Sequence, residues 1–427
     1  MKLRKLLSSL LVAAMVGSMV LTGCGNSSGD TASTSTENKG NTEGTKNSAE
    51  SADKIIIFQS KVEITDQLEA LAKEYEGETG VEVEVWGTTG DDYFPQLKTK
   101  LANNQGPTIF SLAPGSESEQ LSAYLEDLSG LSFVGNIMEG MTDEINDTVV
   151  GIPYTMEGFG IVYNKSAIDL TAISDTESFI EMMKSAKEDG STGFGLSQES
   201  YFLIGHILNT PFALQDDPEG FMDRVVSGEQ TITDVTEFQE LAKLFTAVKD
   251  YSYNPLEVNY DSACGNLATG KVFSIHQGNW AAGMFADYDM AFEMGLAALP
   301  LAGNDKLAVS VPTAWYVNSQ AADAEKQAGK DFLEWLYTSE SGTKYLMDEF
   351  GFIPVVEGMT NDNLDVLSQD VMAYAKAGNT IVWATNHYPA GIVDVYLVPV
   401  LEEFFTTDMS EEALLEGIQN AFVEAGK

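Results

Sequence analysis

The sequence predicts an α/β protein built as two lobes, on three observations. Between Lys54 and Leu112 the apolar pattern runs strand, helix, strand, helix, strand, the sign of an open parallel sheet with helices on its faces. About 375 residues follow a polar stretch that ends at Ala52, more than one hydrophobic core holds comfortably. Helix-like and strand-like segments then continue towards Lys427 with no repeat of solenoid type.

The elements follow in order. Lys54-Ile55-Ile56-Ile57-Phe58 is a short continuous apolar run, as a strand buried on both faces would be. Leu68, Leu71, Ala72 and Tyr75 recur at helical spacing. Val81, Val83 and Val85 alternate with Glu82, Glu84 and Trp86 as a second strand. Residues 93–103 repeat the helical period, with Pro95 tolerated in the first turn. Residues 108–112 form a third strand. Such sheets bind ligands outside the carboxyl ends of their strands. That places Gln59 and Glu63, past the first strand, and Asp92, after the turn Gly87-Thr88-Thr89-Gly90, at the ligand edge. Further on, 160–163 and 271–275 read as strands, and 176–188, 235–249, 321–337 and 410–425 as helices.

The first residues read as a targeting segment. Lys2, Arg4 and Lys5 precede the uncharged run Leu6 to Leu21, which is short for a membrane span and flanked as a signal peptide is. Leu21-Thr22-Gly23-Cys24 resembles a lipobox, so residues 1–23 are expected to be removed and Cys24 acylated. Residues 24–52 then form a tether. No aromatic or large aliphatic side chain occurs from Gly25 to Ala52, and such a stretch cannot offset the entropy of ordering it. Its span is on the order of 30 Å. The expected place is the outer face of a Gram-positive cytoplasmic membrane, held only through the lipid on Cys24.

The formal charge is −42. That excludes nucleic acid, whose phosphates need Lys and Arg, and adhesion to anionic lipid. Cys264 has no partner if Cys24 is acylated, so the core and not disulfides holds the fold. His206, His276 and His387 lie far apart in sequence, and no zinc-type Cys/His cluster occurs. No metal or cofactor is expected. A monomer is expected, since no heptad pattern stands out.

Several segments carry a family resemblance. Ile55–Phe58, the helix ending Glu78-Thr79-Gly80, and Val81–Val85 open it. Gly151-Ile152-Pro153-Tyr154-Thr155-Met156-Glu157-Gly158, running into Ile161-Val162-Tyr163-Asn164-Lys165, is its most specific part. Ser197-Gln198-Glu199-Ser200-Tyr201-Phe202, His276-Gln277-Gly278-Asn279-Trp280, and Phe332–Leu336 through Gly342 to Gly351-Phe352-Ile353-Pro354 follow. In this order they resemble the extracellular solute-binding proteins of carbohydrate ABC importers (family 1), the maltodextrin-binding type, in lipoprotein form. The resemblance implies a periplasmic-binding-protein-like fold with a ligand cleft between two hinged lobes. Lobe one would hold 53–156 with 300–352, and lobe two 157–299 with 353–427. It also implies partner transmembrane subunits of the importer. Pro107-Thr108 departs from the Pro-Asp that the family often carries, which puts one local hydrogen bond in question. Residues 390–407 match poorly.

A sugar offers hydroxyls all round and an apolar ring face, so its binder needs aromatic rings beside carboxylates or amides. Trp280 would stack with Asn279 beside it, Glu157 and Glu199 would accept from hydroxyls, and Tyr201 would cover a ring. Trp315 and Trp383 are further aromatic candidates, while Trp86 and Trp335 read as structural. Each has a plainer role open to it: core packing for the tryptophans, helix capping for Glu199 and Asp92, pairing at the hinge for Glu157, and solvated loop for Gln59 and Glu63. The chain thus reads as a binding protein without catalysis. The acidic balance leaves a polyamine or other cation open as the ligand. A glycoside hydrolase would need two carboxylates about 5–9.5 Å apart, for which Glu157 and Glu199 are the candidates. A purely structural or sensory surface protein is the fourth reading.

Overall fold

A computed structural model describes residues 52–61, 64–87, 93–285 and 288–427. Cys24, Glu63 and Asp92, with the signal and tether, lie outside the described residues. Eleven strands among the described residues form two sheets. They are β1 (Lys54–Gln59), β2 (Glu82–Gly87), β3 (Ile109–Leu112), β4 (Asp143–Ile145), β5 (Thr148–Pro153), β6 (Glu157–Asn164), β7 (Ser274–Gly278), β8 (Met294–Ala297), β9 (Leu307–Ser310), β10 (Ala314–Val317) and β11 (Thr380–Ile381).

The first sheet runs β2-β1-β3-β10-β5-β4. β1 lies parallel to both β2 and β3, with Lys54 opposite Glu82 and Ile57 opposite Ile109. β10 is antiparallel to β3 and β5. The strand–helix–strand reading of 54–112 therefore holds. The hydroxyl of Thr108 accepts the Ile56 N–H at 3.2 Å, so a bond between β1 and the start of β3 is made at the position where the family often carries Asp. β4 and β5 form a hairpin over Asn146 and Asp147, both at positive φ, the twist-matched turn that Asn and Asp tolerate. The second sheet runs β11-β9-β6-β7, with β8 also on β6.

Helix ends fall where local chemistry stops them. The helix Thr65–Thr79 closes on Gly80, whose left-handed backbone (φ 80°) returns its N–H to the Glu76 carbonyl. Thr176–Glu188 starts on a capping box between Asp175 and Ser178. Glu411–Ala425 starts on Ser410, which accepts from the Ala413 N–H. The strand expected at 271–275 lies three residues later, as β7, so that Gln277 and Gly278 are still in the ladder. Residues 393–397 and 398–406, where the resemblance was weakest, form a π-helical turn continuing into an α-helix.

Three segments cross between the sheets. Tyr154–Met156 joins β5 to β6, residues 311–313 join β9 to β10, and the third crossing comes after Phe352–Val356, which runs beside these two on the first-sheet side, and before Val366. Tyr154 N–H donates to the Thr313 carbonyl at 3.0 Å. The Thr155 hydroxyl accepts from Ile353 N–H at 2.9 Å. Two sequence boundaries are corrected. β9 pairs with β6, so residues 300–310 lie with the second sheet, and the crossing falls at 311–313. Residues 353–363 stay with the first sheet: Met138 N–H donates to Val355 and Glu357 N–H to Asn136. The chain reaches the second sheet only with the helix Val366–Lys376, packed on β8 and β6. Length and pattern place a crossing only to within a loop; the ladder partners decide it.

Candidate functional site

The carboxyl ends of β1 and β3 are tied together before they reach the cleft. Tyr93 donates to the Phe58 carbonyl at 2.9 Å and also lies 2.8 Å from the Ser111 carbonyl. Ser60 N–H donates to Ser111 Oγ at 3.1 Å. Beyond β3 the chain turns at Pro114-Gly115 into the short helix Ser116–Gln120. From the other side, β11 leads into Trp383 and the turn Ala384–His387. These two segments touch: a Cβ on Gly115 (φ 92°) would come within 2.7 Å of the Asn386 carbonyl. Only glycine fits there without strain.

Two cavities flank that contact. One, of about 520 Å³, is lined by Pro114, Gly115, Glu119, Asp143 and Glu144 on one side and Glu219, Trp383, Asn386 and His387 on the other. The second, of about 560 Å³, is lined by Phe94, Glu117, Tyr201, His206, Trp383, Tyr388 and Asp394 among others. Trp383 walls both. Among the described residues no Lys or Arg lines either. In the first, Asp143 accepts from the Tyr316 hydroxyl at 2.8 Å, and His387 Nε2 lies 2.9 Å from Glu219. In the second, burial raises the pKa of Glu117, while the Ala113 N–H that it accepts opposes the shift.

Behind the second cavity stands an aromatic cluster around Phe159 of β6. His206 is stacked on Phe159 at 4.7 Å, Trp383 lies at 4.9 Å and Trp280 at 6.3 Å. Trp280 and Trp383 meet edge to face. A π-helical turn, Tyr201–Gly205, sets up the rim: His206 N–H donates to the Tyr201 carbonyl, so Tyr201 and His206 stand side by side, rings 5.3 Å apart. Burial pushes the imidazoles of His206 and His276 down to about 3, so both are neutral. Four buried polar atoms here have no protein partner: His206 Nδ1, Trp383 Nε1 and both nitrogens of His276. Such groups normally find one in water or ligand.

The candidates therefore divide. Tyr201 and Trp383 line the second cavity, while Trp280 packs behind Trp383, lines neither cavity, and donates its Nε1–H to Gln277 Oε1 at 2.8 Å. Glu157, at the start of β6, accepts from Lys61 Nζ at 3.0 Å. Gln59 is fully buried; its amide nitrogen donates to Thr65 Oγ1 and its oxygen has no partner. Three further candidates are engaged within the protein. Trp315 is fully buried in β10, stacked on Tyr154 at 3.7 Å, and offers no face to the cleft. Asn279 accepts from Gly158 N–H and donates to Ser368, so its amide is used inside the protein. Glu199 accepts from Tyr260 N–H through Oε1 at the start of the helix Tyr260–Ala268 and lines neither cavity, while its buried Oε2 has no partner among the described residues. It caps a helix, though not the one that follows it in sequence. His206, Gly115 and Asn386 were missed. The Pro-Gly pair after the third strand was a usable signal; a π-helical turn has no sequence period of its own. Among the described residues no group of three or more His, Cys, Asp or Glu could hold a metal ion, and no helix is long and apolar enough to cross a membrane.

Comparison with known proteins places this architecture. A multiple sugar-binding protein of Streptococcus mutans serotype c is 22% identical over 369 residues, 80% of this chain and 85% of that one. The apo form of RafE from Streptococcus pneumoniae superposes with a TM-score of 0.71 at 19% identity, covering 88% of this chain and 98% of that one. A chitin oligosaccharide binding protein superposes at 0.69 with 18% identity, covering 87% and 99%. Residues 70–378 match the family described as bacterial extracellular solute-binding protein. With two sheets, three crossing segments and a cleft between them, the chain belongs to the bacterial extracellular solute-binding proteins.

Proposed function

We propose that this protein captures a carbohydrate, an oligosaccharide, outside the cell and delivers it to an ABC-type import permease by closure of two hinged lobes. The observation that carries the reading is Trp383: an aromatic wall shared by two cleft cavities, backed by Phe159, His206 and Trp280, with acceptor carboxylates on the facing side. Flat rings suit a sugar face and carboxylates suit its hydroxyls. The sugar-binding relatives of the same fold support it. The first lobe would comprise the β1–β5 and β10 sheet and the second the β6–β9 and β11 sheet. The reading assigns no catalysis, and a monomer serves it. Thermal unfolding of the purified protein against a panel of mono- and oligosaccharides tests it. Saturating ligand adds about 2.7 kcal/mol at 100 times Kd. A shift with one glycan class that shrinks in Trp383→Ala supports the reading; no shift with any glycan sinks it.

A second reading has its own observation. Glu119, Asp143, Glu144 and Glu219 line the first cavity with no Lys or Arg among its described lining residues, which favours a polyamine or other cationic solute. Spermidine in the same panel separates the two. We also propose removal of residues 1–23 and acylation of Cys24, anchoring the protein on the outer face of a Gram-positive membrane. Metabolic labelling with a radioactive fatty acid, absent in Cys24→Ser, tests that.

A further inference from the structure

We infer that the first sheet holds one internal water molecule as a fixed part of the fold, bound between Gln59, Tyr154 and Trp315 where β1, β10 and the Tyr154–Met156 crossing meet. It does not depend on which solute the cleft takes. These side chains are 0%, 2% and 0% exposed, and each keeps one polar atom with no partner among the described residues: Gln59 Oε1, the Tyr154 hydroxyl and Trp315 Nε1. A buried polar group left unpaired costs more than a typical hydrogen bond contributes, so such groups in native proteins find a partner.

The ladder brings the three together. Ser111 of β3 lies opposite Trp315 of β10, and one step beyond the Phe58–Phe110 pair sets Gln59 beside Ser111. Ladder partners point to the same face, so Gln59 and Trp315 flank Ser111 on one side of the sheet. Serine is short between two long side chains and leaves room there. Tyr154 covers it from the crossing segment, its ring stacked on Trp315 at 3.7 Å. The neighbouring hydroxyls are bonded elsewhere. Ser111 Oγ accepts from Ser60 N–H and donates to the Tyr93 hydroxyl, both at 3.1 Å, and Tyr337 donates to the Pro153 carbonyl.

The chemistry names the occupant. The Tyr154 hydroxyl and Trp315 Nε1–H donate, and Gln59 Oε1 accepts. A cation would meet two donors, and an anion would meet the amide oxygen. Water accepts two bonds and donates the third, and three partners are what a buried water typically has. It ties the end of β1 to the crossing segment and to β10.

The test is thermal unfolding of the purified protein as a double-mutant cycle of Tyr154→Phe and Gln59→Met, which keep the shape and remove polar atoms. With the water bound, each variant strands its remaining partners. Each should melt a few degrees below wild type, and the double variant should lose less than the sum of the two. Were the atoms simply unpaired, Tyr154→Phe would relieve a buried group and melt at or above wild type. That result, or strictly additive losses, overturns the inference. A high-resolution crystal structure of the wild type decides the matter even if the variants fail to fold. An ordered oxygen about 2.7–3.2 Å from all three atoms is expected. Trp315 bonded directly to Tyr337, with Tyr154 bonded to Ser111, overturns it.

Discussion

Lys61 Nζ lies 3.0 Å from Glu157 Oε1, which joins the segment after β1 to the first residue of β6 and so links the two sheets. Both side chains are mostly withdrawn from water, 22% and 13% exposed, so the pair is less screened than the surface pairs elsewhere. Glu157→Gln keeps the shape and removes the charge. The closed form should lose about 1–2 kcal/mol relative to the open one. Small-angle scattering of the unliganded protein should then show a larger radius of gyration, and ligand affinity should fall. An unchanged radius and affinity would mean that the pair does not govern closure.

Trp315 and Trp383 should separate under mutation. Trp315 is stacked inside the first sheet's core, so Trp315→Phe should lower stability by about 1–3 kcal/mol in urea unfolding. Its ligand affinity should match the wild type. Trp383→Phe should lower ligand affinity beyond any loss of stability. A loss of affinity in Trp315→Phe with Trp383→Phe unaffected would exchange the two roles.

Acid should expose the buried histidine. The folded pKa of His276 is about 3, because burial disfavours the charged ring, against about 6.5 in an unfolded chain. Between these values the unfolded chain binds a proton that the folded one does not. Stability therefore rises with pH across that window, is fully present above about 6.5, and falls by about 1.4 kcal/mol per unit below it. The many carboxylates titrate in the lower part of the same range. The contribution of His276 is thus read as the difference between wild type and His276→Gln, which should narrow as pH falls from 7 to 5. A difference that is flat with pH would refute it.

The contact between the Tyr154–Met156 crossing and the segment that runs beside it is testable. Thr155→Val would leave the buried Ile353 N–H without its acceptor, at a cost of about 1–3 kcal/mol. Thr155→Ser should recover most of the melting temperature. Equal losses in both variants would assign the effect to packing of the methyl group.

Much of the fold was legible because it is written locally. The helix read at 176–188 has its observed ends there, and the structure shows the capping box between Asp175 and Ser178 that starts it. The helix at the carboxyl end starts on its Ser410 cap. β1, β2 and β3 followed from unbroken or alternating apolar runs. The β4–β5 hairpin, the place of β7 and the π-helical turns were not read. Short strands and turns of irregular period carry no pattern that separates them from loop.

By itself the sequence determined the α/β class and the order of the early strands and helices, because apolar period and caps act within a few turns of backbone. Only the tertiary structure decided which aromatics meet. Trp315 and Trp383 look alike in the chain, yet one is paired across β3 and β5 inside a sheet and the other stands beyond the end of β11. It also joined Gly115 to Asn386 and Lys61 to Glu157, residues far apart in the chain. Those contacts exist because ladder register and three crossing segments fix where the two sheets face each other, and no local propensity encodes that distance.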